Sequence, residues 1–237
     1  MPDVPLAALR ARLAAVRDRI ARAAGRAGRD PASIRLVAVS KTFSADYVRA
    51  AADAGQVDFG ENKVQEALEK MDRTADLGVR WHLVGHLQSN KARKAGARFD
   101  VVHSIDAPTL VAKLDEAAAA VGRRLDLLVQ VDLAGETTKH GAREDELQAI
   151  FDAARVCRAA RIVGLMLLPP ETEDPNGARP YFRELRTVRD GLAARGVDTS
   201  QLSELSMGMS HDFEVAIEEG ATLVRVGTAI FGNRTYV

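Results

Sequence analysis

A lysine closes an apolar run early in the chain, Arg35-Leu36-Val37-Ala38-Val39-Ser40-Lys41, and Thr42-Phe43-Ser44 follows at once. The β-branched, apolar character reads as a buried strand of a parallel sheet. Side chains alternate along a strand, so Arg35, Val37, Val39 and Lys41 share one face. An ammonium at the strand's carboxyl end then sits on the side of two core valines. Desolvation there lowers a lysine from about 10.4 toward the range where the amine is nucleophilic. A second group lies far downstream. Ser206-Met207-Gly208-Met209-Ser210 follows one apolar run and leads into a predicted helix, and Gly227-Thr228-Ala229 follows the next run. Glycine lets backbone N–H groups approach an anion, and Ser and Thr hydroxyls donate to it, which is the chemistry of a phosphate cup. Arg225 interrupts Leu223-Val224-Arg225-Val226 on the side of Leu223 and Gly227. A guanidinium there needs a partner or a ligand acceptor.

The elements that position these residues alternate strictly. Strand-like runs fall at 35–40, 56–59, 80–84, 100–104, 125–133, 161–168, 202–206 and 223–226. Helical patterns follow them at 44–54, from 60–62 to near 71, and at 90–97, 107–121, 143–158, 177–195 and 210–219, with a short turn at 227–231. Eight β–α units predict an α/β fold of parallel strands with helical crossovers. Eight in 237 residues predict closure into a (β/α)8 TIM barrel, typically about 250 residues long. An open doubly wound sheet lacks its Gly-x-Gly-x-x-Gly turn after the first strand. Ahead of the barrel, Leu6, Leu9, Leu13, Val16 and Ile20 predict an amphipathic helix over 4–26, with Ser44 able to cap the first helix after strand one. The division expected is an N-terminal helix, 1–30, packed on one barrel, 31–237. Arg10, Arg12, Arg17, Arg19 and Arg22 occupy the helix's other faces.

With 33 basic and 33 acidic residues the chain has no net charge, so no global pull toward nucleic acid or an anionic membrane is expected. Cys157 is the single cysteine, which excludes an internal disulfide and suits the cytoplasm; it reads as a plain core or half-buried thiol in a predicted helix. No apolar run approaches ~18 residues, and the arginine-rich start lacks a signal peptide's apolar stretch. A soluble monomer without a metal site is expected.

In such barrels the active face is built from the segments after the strands' carboxyl ends. Those segments carry Lys41-Thr42, Glu61-Asn62, His86 with Gln88-Ser89-Asn90, Ser104 and Asp106, Lys139-His140, Met166 near Pro169, Met207 to Ser210, and Gly227-Thr228. Phosphate sites lie after strands seven and eight. A lysine ending strand one, a phosphate cup at that place and an arginine beside it describe a pyridoxal 5′-phosphate site. The lysine would hold the aldehyde carbon as a Schiff base. Arginine, a donor only, would face the ring nitrogen and keep it unprotonated.

Longer motifs extend this reading: Val-Ser-Lys-Thr at 39–42, Phe-Gly-Glu-Asn-Lys-Val-Gln-Glu at 59–66, Trp-His-Leu-Val-Gly-His-Leu-Gln-Ser-Asn-Lys at 81–91, Gly-Leu-Met at 164–166, Leu-Ser-Met-Gly-Met-Ser at 205–210 and Val-Gly-Thr-Ala-Ile-Phe-Gly at 226–232. From about Leu36 onward the chain resembles the pyridoxal phosphate homeostasis protein family, similar in fold to the N-terminal barrel of alanine racemases. The resemblance implies that Lys41 is the Schiff-base lysine and that Arg225 faces the pyridine nitrogen. It implies further that Ser210, Gly227 and Thr228 take the phosphate, that Asn62 lies beside the cofactor and that Met207 lines its pocket. Asp132 and Ala134 stand where the family often has Asn and Ser, and Met-Leu-Leu-Pro-Pro at 166–170 is more apolar than usual.

The function implied is intracellular homeostasis of pyridoxal 5′-phosphate, holding or delivering it to dependent apoenzymes without turnover. A two-base racemase needs acid–base groups on both faces of the substrate carbon, and in alanine racemases one comes from a second, β-rich domain that is not expected here. The competing readings are a racemase-like enzyme using His82, His86 or Asp106, and a cofactor-free phosphate-binding barrel.

Overall fold

Strands with one side toward helices and the other toward a lumen close on themselves when eight follow in order. In the computed structural model, which describes residues 6–135 and 140–232, they do so. The strands are β1 (Arg35–Val39), β2 (Asp58–Glu61), β3 (Arg80–Leu83), β4 (Val101–Ile105), β5 (Leu125–Val131), β6 (Ala160–Leu167), β7 (Glu204–Ser206) and β8 (Leu223–Val226). They form a closed barrel in chain order, and β8 pairs in parallel with β1. The outer ring comprises α2 (Ala45–Asp53), α3 (Val64–Arg73), α4 (Ala92–Arg98), α5 (Pro108–Ala119), α6 (Leu147–Ala154), α7 (Arg179–Ala194), α8 (Phe213–Glu218) and the single turn α9 (Thr228–Phe231).

Two cores result from the alternation. Leu36, Ala38, Phe59, Leu83, Leu127 and Val224 belong to the shell between strands and helices. Val37, Val39, Val84, Val101, Leu128, Met166 and Leu223 fill the lumen.

The N-terminal helix α1 (Leu6–Arg26) buries Leu9, Leu13, Val16 and Ile20 and packs on α8 and α9. Its arginines hold the barrel as well. Arg12 Nε donates to the Ile230 carbonyl at 2.8 Å, and Arg17 donates to the Ala54 and Gly55 carbonyls. Arg19 pairs with Glu214 at 2.6 Å and lies 4.5 Å over the Phe213 ring. Arg10 and Arg22 stay exposed. Packing on the barrel thus consumes both the apolar stripe and much of the charge.

Several boundaries move from their expected places. β2 starts at Asp58 rather than 56, because the Gln56 side chain turns inward to donate to the carbonyls of Leu36 and Asp58 at 2.7 and 2.8 Å. Ser44 stands at the N-cap of α2, yet its hydroxyl bonds Asp46 and makes no cap bond. α8 begins at Phe213 with Asp212 before it, so Ser210 lies in a turn and not in the helix. Cys157 follows α6 instead of lying inside it, half-buried, its thiol directed at the Ala153 carbonyl. Val4 and Lys139 lie outside the described residues.

Candidate functional site

Val37 and Val39 face the lumen, and Lys41 lies two residues beyond the end of β1, at the carboxyl rim, half-buried. The chain turns sharply there. Thr42 has φ +71°, alone in that region among the described non-glycine residues. A β-branched residue in left-handed backbone costs about 1–3 kcal/mol and persists only where the surroundings fix it. A charged knot beneath the turn does so. The Thr42 amide donates to Glu66 Oε1 at 2.5 Å, and the Ser40 hydroxyl donates to Glu61 Oε1 at 2.6 Å. Lys70 Nζ donates to the Ser40 carbonyl, to Glu61 and to Glu66, at 2.8, 2.7 and 2.8 Å. Glu61 is fully buried and Lys70 nearly so. Burial pushes the Glu61 carboxyl up, against the pull of Lys70 and Ser40, and its Oε2 has no hydrogen-bond partner among the described residues. Burial also works against the charge on Glu66, but Lys70 and the Thr42 amide outweigh it and hold this carboxyl low.

The loops after β7 and β8 meet on the same rim. Ser210 Oγ accepts from the Gly227 amide at 3.1 Å and from the Ala229 amide at 3.4 Å. Two backbone donors therefore converge on one hydroxyl, with the exposed Thr228 between them. Gly208 has φ +91°, and a Cβ there would overlap Ala216 and Phe213, so only glycine fits this turn. Asp212 ties the loop, accepting from the Met209 amide at 2.6 Å.

Arg225 is almost fully buried, and it points into the lumen rather than toward the helix layer. Its guanidinium donates to Ser206 Oγ at 2.5 Å and to the Leu167 carbonyl at 2.8 Å. Burial pulls its pKa down to about 10, opposed by Asp212, so it stays charged at neutral pH. Asn62 lies at the rim, half-buried, with its backbone against Gly85, where any Cβ would overlap the Asn62 carbonyl. Met207 is placed differently. It is fully buried and packs with the shell between strands and helices, one residue past the lumen-facing Ser206.

The expected acid–base candidates separate. His82 is fully buried, with Nδ1 on His103 at 2.9 Å and Nε2 on Asp58 at 2.8 Å. His86, Asp106 and His140 come together at the rim, their ligand atoms within 4.8 Å of one another. The His86 and His140 rings stack at 3.5 Å and 12°, and Asp106 lies 3.7 Å from His86. Parallel rings hold their nitrogen lone pairs in parallel planes, a poor arrangement for converging on one ion. Burial and then His140 lower the His86 pKa, against Asp106.

A model of the alanine racemase N-terminal domain matches residues 11–235. A pyridoxal phosphate homeostasis protein of Aquifex aeolicus is 41% identical over 225 residues, 95% of this chain and 98% of that one. The chain belongs to the pyridoxal phosphate homeostasis protein family. The family's Escherichia coli K12 member is 42% identical over 231 residues, covering 94% of this chain and 96% of that one. PipY of Synechococcus elongatus, solved without and with PLP, is 39% identical in both, with TM-scores of 0.84 and 0.83, covering 94% of this chain and 100% of PipY. Alanine racemase from Clostridium difficile, 14% identical at TM-score 0.73, shares the fold over 97% of this chain and 57% of its own.

Glu61 is among the expected rim residues, but the contacts by which Ser40, Glu61, Glu66 and Lys70 hold the Lys41 turn escape sequence reasoning, although one signal exists. Lys70 falls on the buried side of α3 with Val64, Ala67 and Met71, where an ammonium demands a buried anion. His103 and Ser206, which meet inside the lumen, carry no comparable local signal.

Proposed function

We propose that this protein binds pyridoxal 5′-phosphate at the carboxyl rim and serves its intracellular homeostasis, holding the cofactor and passing it to dependent apoenzymes without turnover of its own. The residues present fit the group by the chemistry of their donors. Lys41 offers an amine, Arg225 a buried donor-only cation, and Ser210, Thr228 and the amides of Gly227 and Ala229 a phosphate cup, with Asn62 and Met207 beside them. Bound there, the cofactor supplies an aldehyde and an electron-poor ring. The observation that carries the reading is Arg225. A guanidinium at the ring nitrogen cannot accept a proton and leaves the ring a weak electron sink. His82, one of three alternative bases for a racemase reading, has both nitrogens engaged in the lumen. The cytoplasm fits the lone thiol Cys157, and among the described residues no helix is long and apolar enough to cross a membrane. Exposed large apolar residues are scattered singly, as suits a monomer.

Two measurements test this. Amino acids incubated with the loaded protein in deuterated water should keep their α-protons. Steady α-deuterium incorporation, lost when His86 or Asp106 is changed, would overturn the proposal in favour of a racemase-like enzyme. The phosphate contacts are tested by Ser210→Ala and Thr228→Val. A hydrogen bond to a charged group contributes about 1.5–3 kcal/mol, so each change should weaken pyridoxal phosphate binding about tenfold or more. Unphosphorylated pyridoxal should be nearly unaffected. Equal losses for both ligands would place the phosphate elsewhere.

A further inference from the structure

The lumen of a (β/α)8 barrel is ordinarily filled by layers of branched apolar side chains. Here a line of polar groups runs through it. Arg225 donates to Ser206 Oγ at 2.5 Å, and Ser206 Oγ lies 2.9 Å from His103 Nδ1. His103 Nε2 lies 2.9 Å from His82 Nδ1, and His82 Nε2 lies 2.8 Å from Asp58 Oδ1. The step from His103 to Ser206 crosses the lumen, joining β4 to β7, which are not neighbours in the barrel. Ser206 and both histidines are fully buried, and Asp58 and Arg225 nearly so.

The two ends dictate every proton between them. Arginine has donors only, so Ser206 Oγ accepts from Arg225; with both imidazoles neutral, the acceptor-only Asp58 carboxylate at the far end makes His103 Nδ1 an acceptor, and the Ser206 hydrogen goes to it. His103 then carries its proton on Nε2 and donates to His82 Nδ1. His82 likewise carries Nε2–H and donates to Asp58. An ionised carboxylate accepts only, and so closes the line. Both imidazoles are neutral in this arrangement. Their burial agrees, lowering His82 and holding His103 well below the usual imidazole range, where Arg225, Arg35 and the facing histidine add to the effect. At Asp58 burial opposes the charge, but the His82 hydrogen bond and then Arg80 and Arg35 outweigh it and keep the carboxyl low.

We infer that Asp58, His82, His103 and Ser206 form a one-way hydrogen-bond chain that positions the Arg225 guanidinium, and through it the cofactor's ring nitrogen, from the opposite end of the barrel. This rests on the proposed reading that Arg225 faces that nitrogen. Asp58 opens β2, level with Arg80 at the amino-terminal mouth, whereas Arg225 is the third residue of β8. With the Ser206 hydrogen committed to His103, the hydroxyl cannot turn toward the guanidinium. One arm of Arg225 is thereby held on Ser206 and the other on the Leu167 carbonyl. None of the four touches the cofactor; they are positioning residues.

The first readout needs no ligand. In protein labelled with 15N at histidine, His82 and His103 should both show the Nε2–H tautomer, without titrating across the range where a free imidazole does. An Nδ1–H tautomer or a titration at either one overturns the inference. The second readout compares pyridoxal phosphate with its analogue carrying C–H in place of the ring nitrogen. Ser206→Ala and Asp58→Ala should weaken pyridoxal phosphate about tenfold and the analogue hardly at all. Asp58→Asn, whose carbonyl can still accept from His82, should restore most of the loss. If Asp58→Ala does not fold, Ser206→Ala carries the comparison. Arg225→Gln separates the two claims. If it fails to distinguish the ligands, the placement of Arg225 at the ring nitrogen falls. If it distinguishes them while Ser206→Ala weakens both equally or neither, the positioning chain falls and that placement stands.

Discussion

Replacing Lys41 by alanine should abolish covalent capture of pyridoxal phosphate. Wild-type protein treated with the cofactor and then borohydride should yield one modified peptide, containing Lys41, and Lys41→Ala should yield none. The expectation follows from placement. Lys41 lies at the rim just past the lumen-facing Val37 and Val39, where the loops after β7 and β8 also converge. Noncovalent binding should survive in part, because the phosphate donors and Arg225 are untouched. A modified peptide from another lysine in the wild type, or an undiminished absorption band in the variant, would reject the assignment.

Lys70→Met should be the most destabilising single change near the site. Lys70 and Glu61 form a buried pair at 2.7 Å, with side-chain exposures of 7% and 0%. Removing one partner of such a pair costs about 3–5 kcal/mol, because it strands a buried charge. The sign with pH is fixed. Glu61 already lies above its ordinary range, and without Lys70 it rises further. A carboxyl whose folded pKa exceeds its unfolded value of about 4.3 supplies stability below that value and loses it as pH rises through the folded one. The deficit of Lys70→Met should therefore be large at neutral pH and shrink as pH falls toward 4.3, about where the unfolded carboxyl titrates. Denaturant midpoints measured across that range test it. Glu61→Leu added to Lys70→Met should recover much of the loss, since a well-packed apolar pair often replaces a buried ion pair at little cost. A constant deficit at all pH values would mean that Lys70 acts through packing alone.

The sequence shows most of the scaffold because the scaffold is local. Eight apolar runs alternating with helical patterns are enough for the barrel, and period-two alternation puts Arg225 on the side of Leu223, with Lys41 just past the end of β1. What it hides depends on contacts distant in the chain. His103 and Ser206 lie 103 residues apart and meet only once β4 and β7 face each other across the lumen. The Gln56 side chain delays β2 by bonding the carbonyl of Leu36, a partner 20 residues back that no local pattern reveals. Ser210 looks like the start of a helix, because a serine before an apolar run usually is one. Asp212 ties the Met209 amide instead, and the Ser210 hydroxyl is left for Gly227 and Ala229.

The most direct test of the proposed role is transfer. Loaded protein, freed of unbound cofactor, is mixed with a pyridoxal-phosphate-dependent apoenzyme, and the apoenzyme's activity is followed over time. The expected result is activation up to the amount of cofactor supplied, with the carrier's own absorption band falling in step and no amino acid consumed by the carrier alone. An apoenzyme that stays inactive while the carrier keeps its cofactor would contradict delivery as this protein's function.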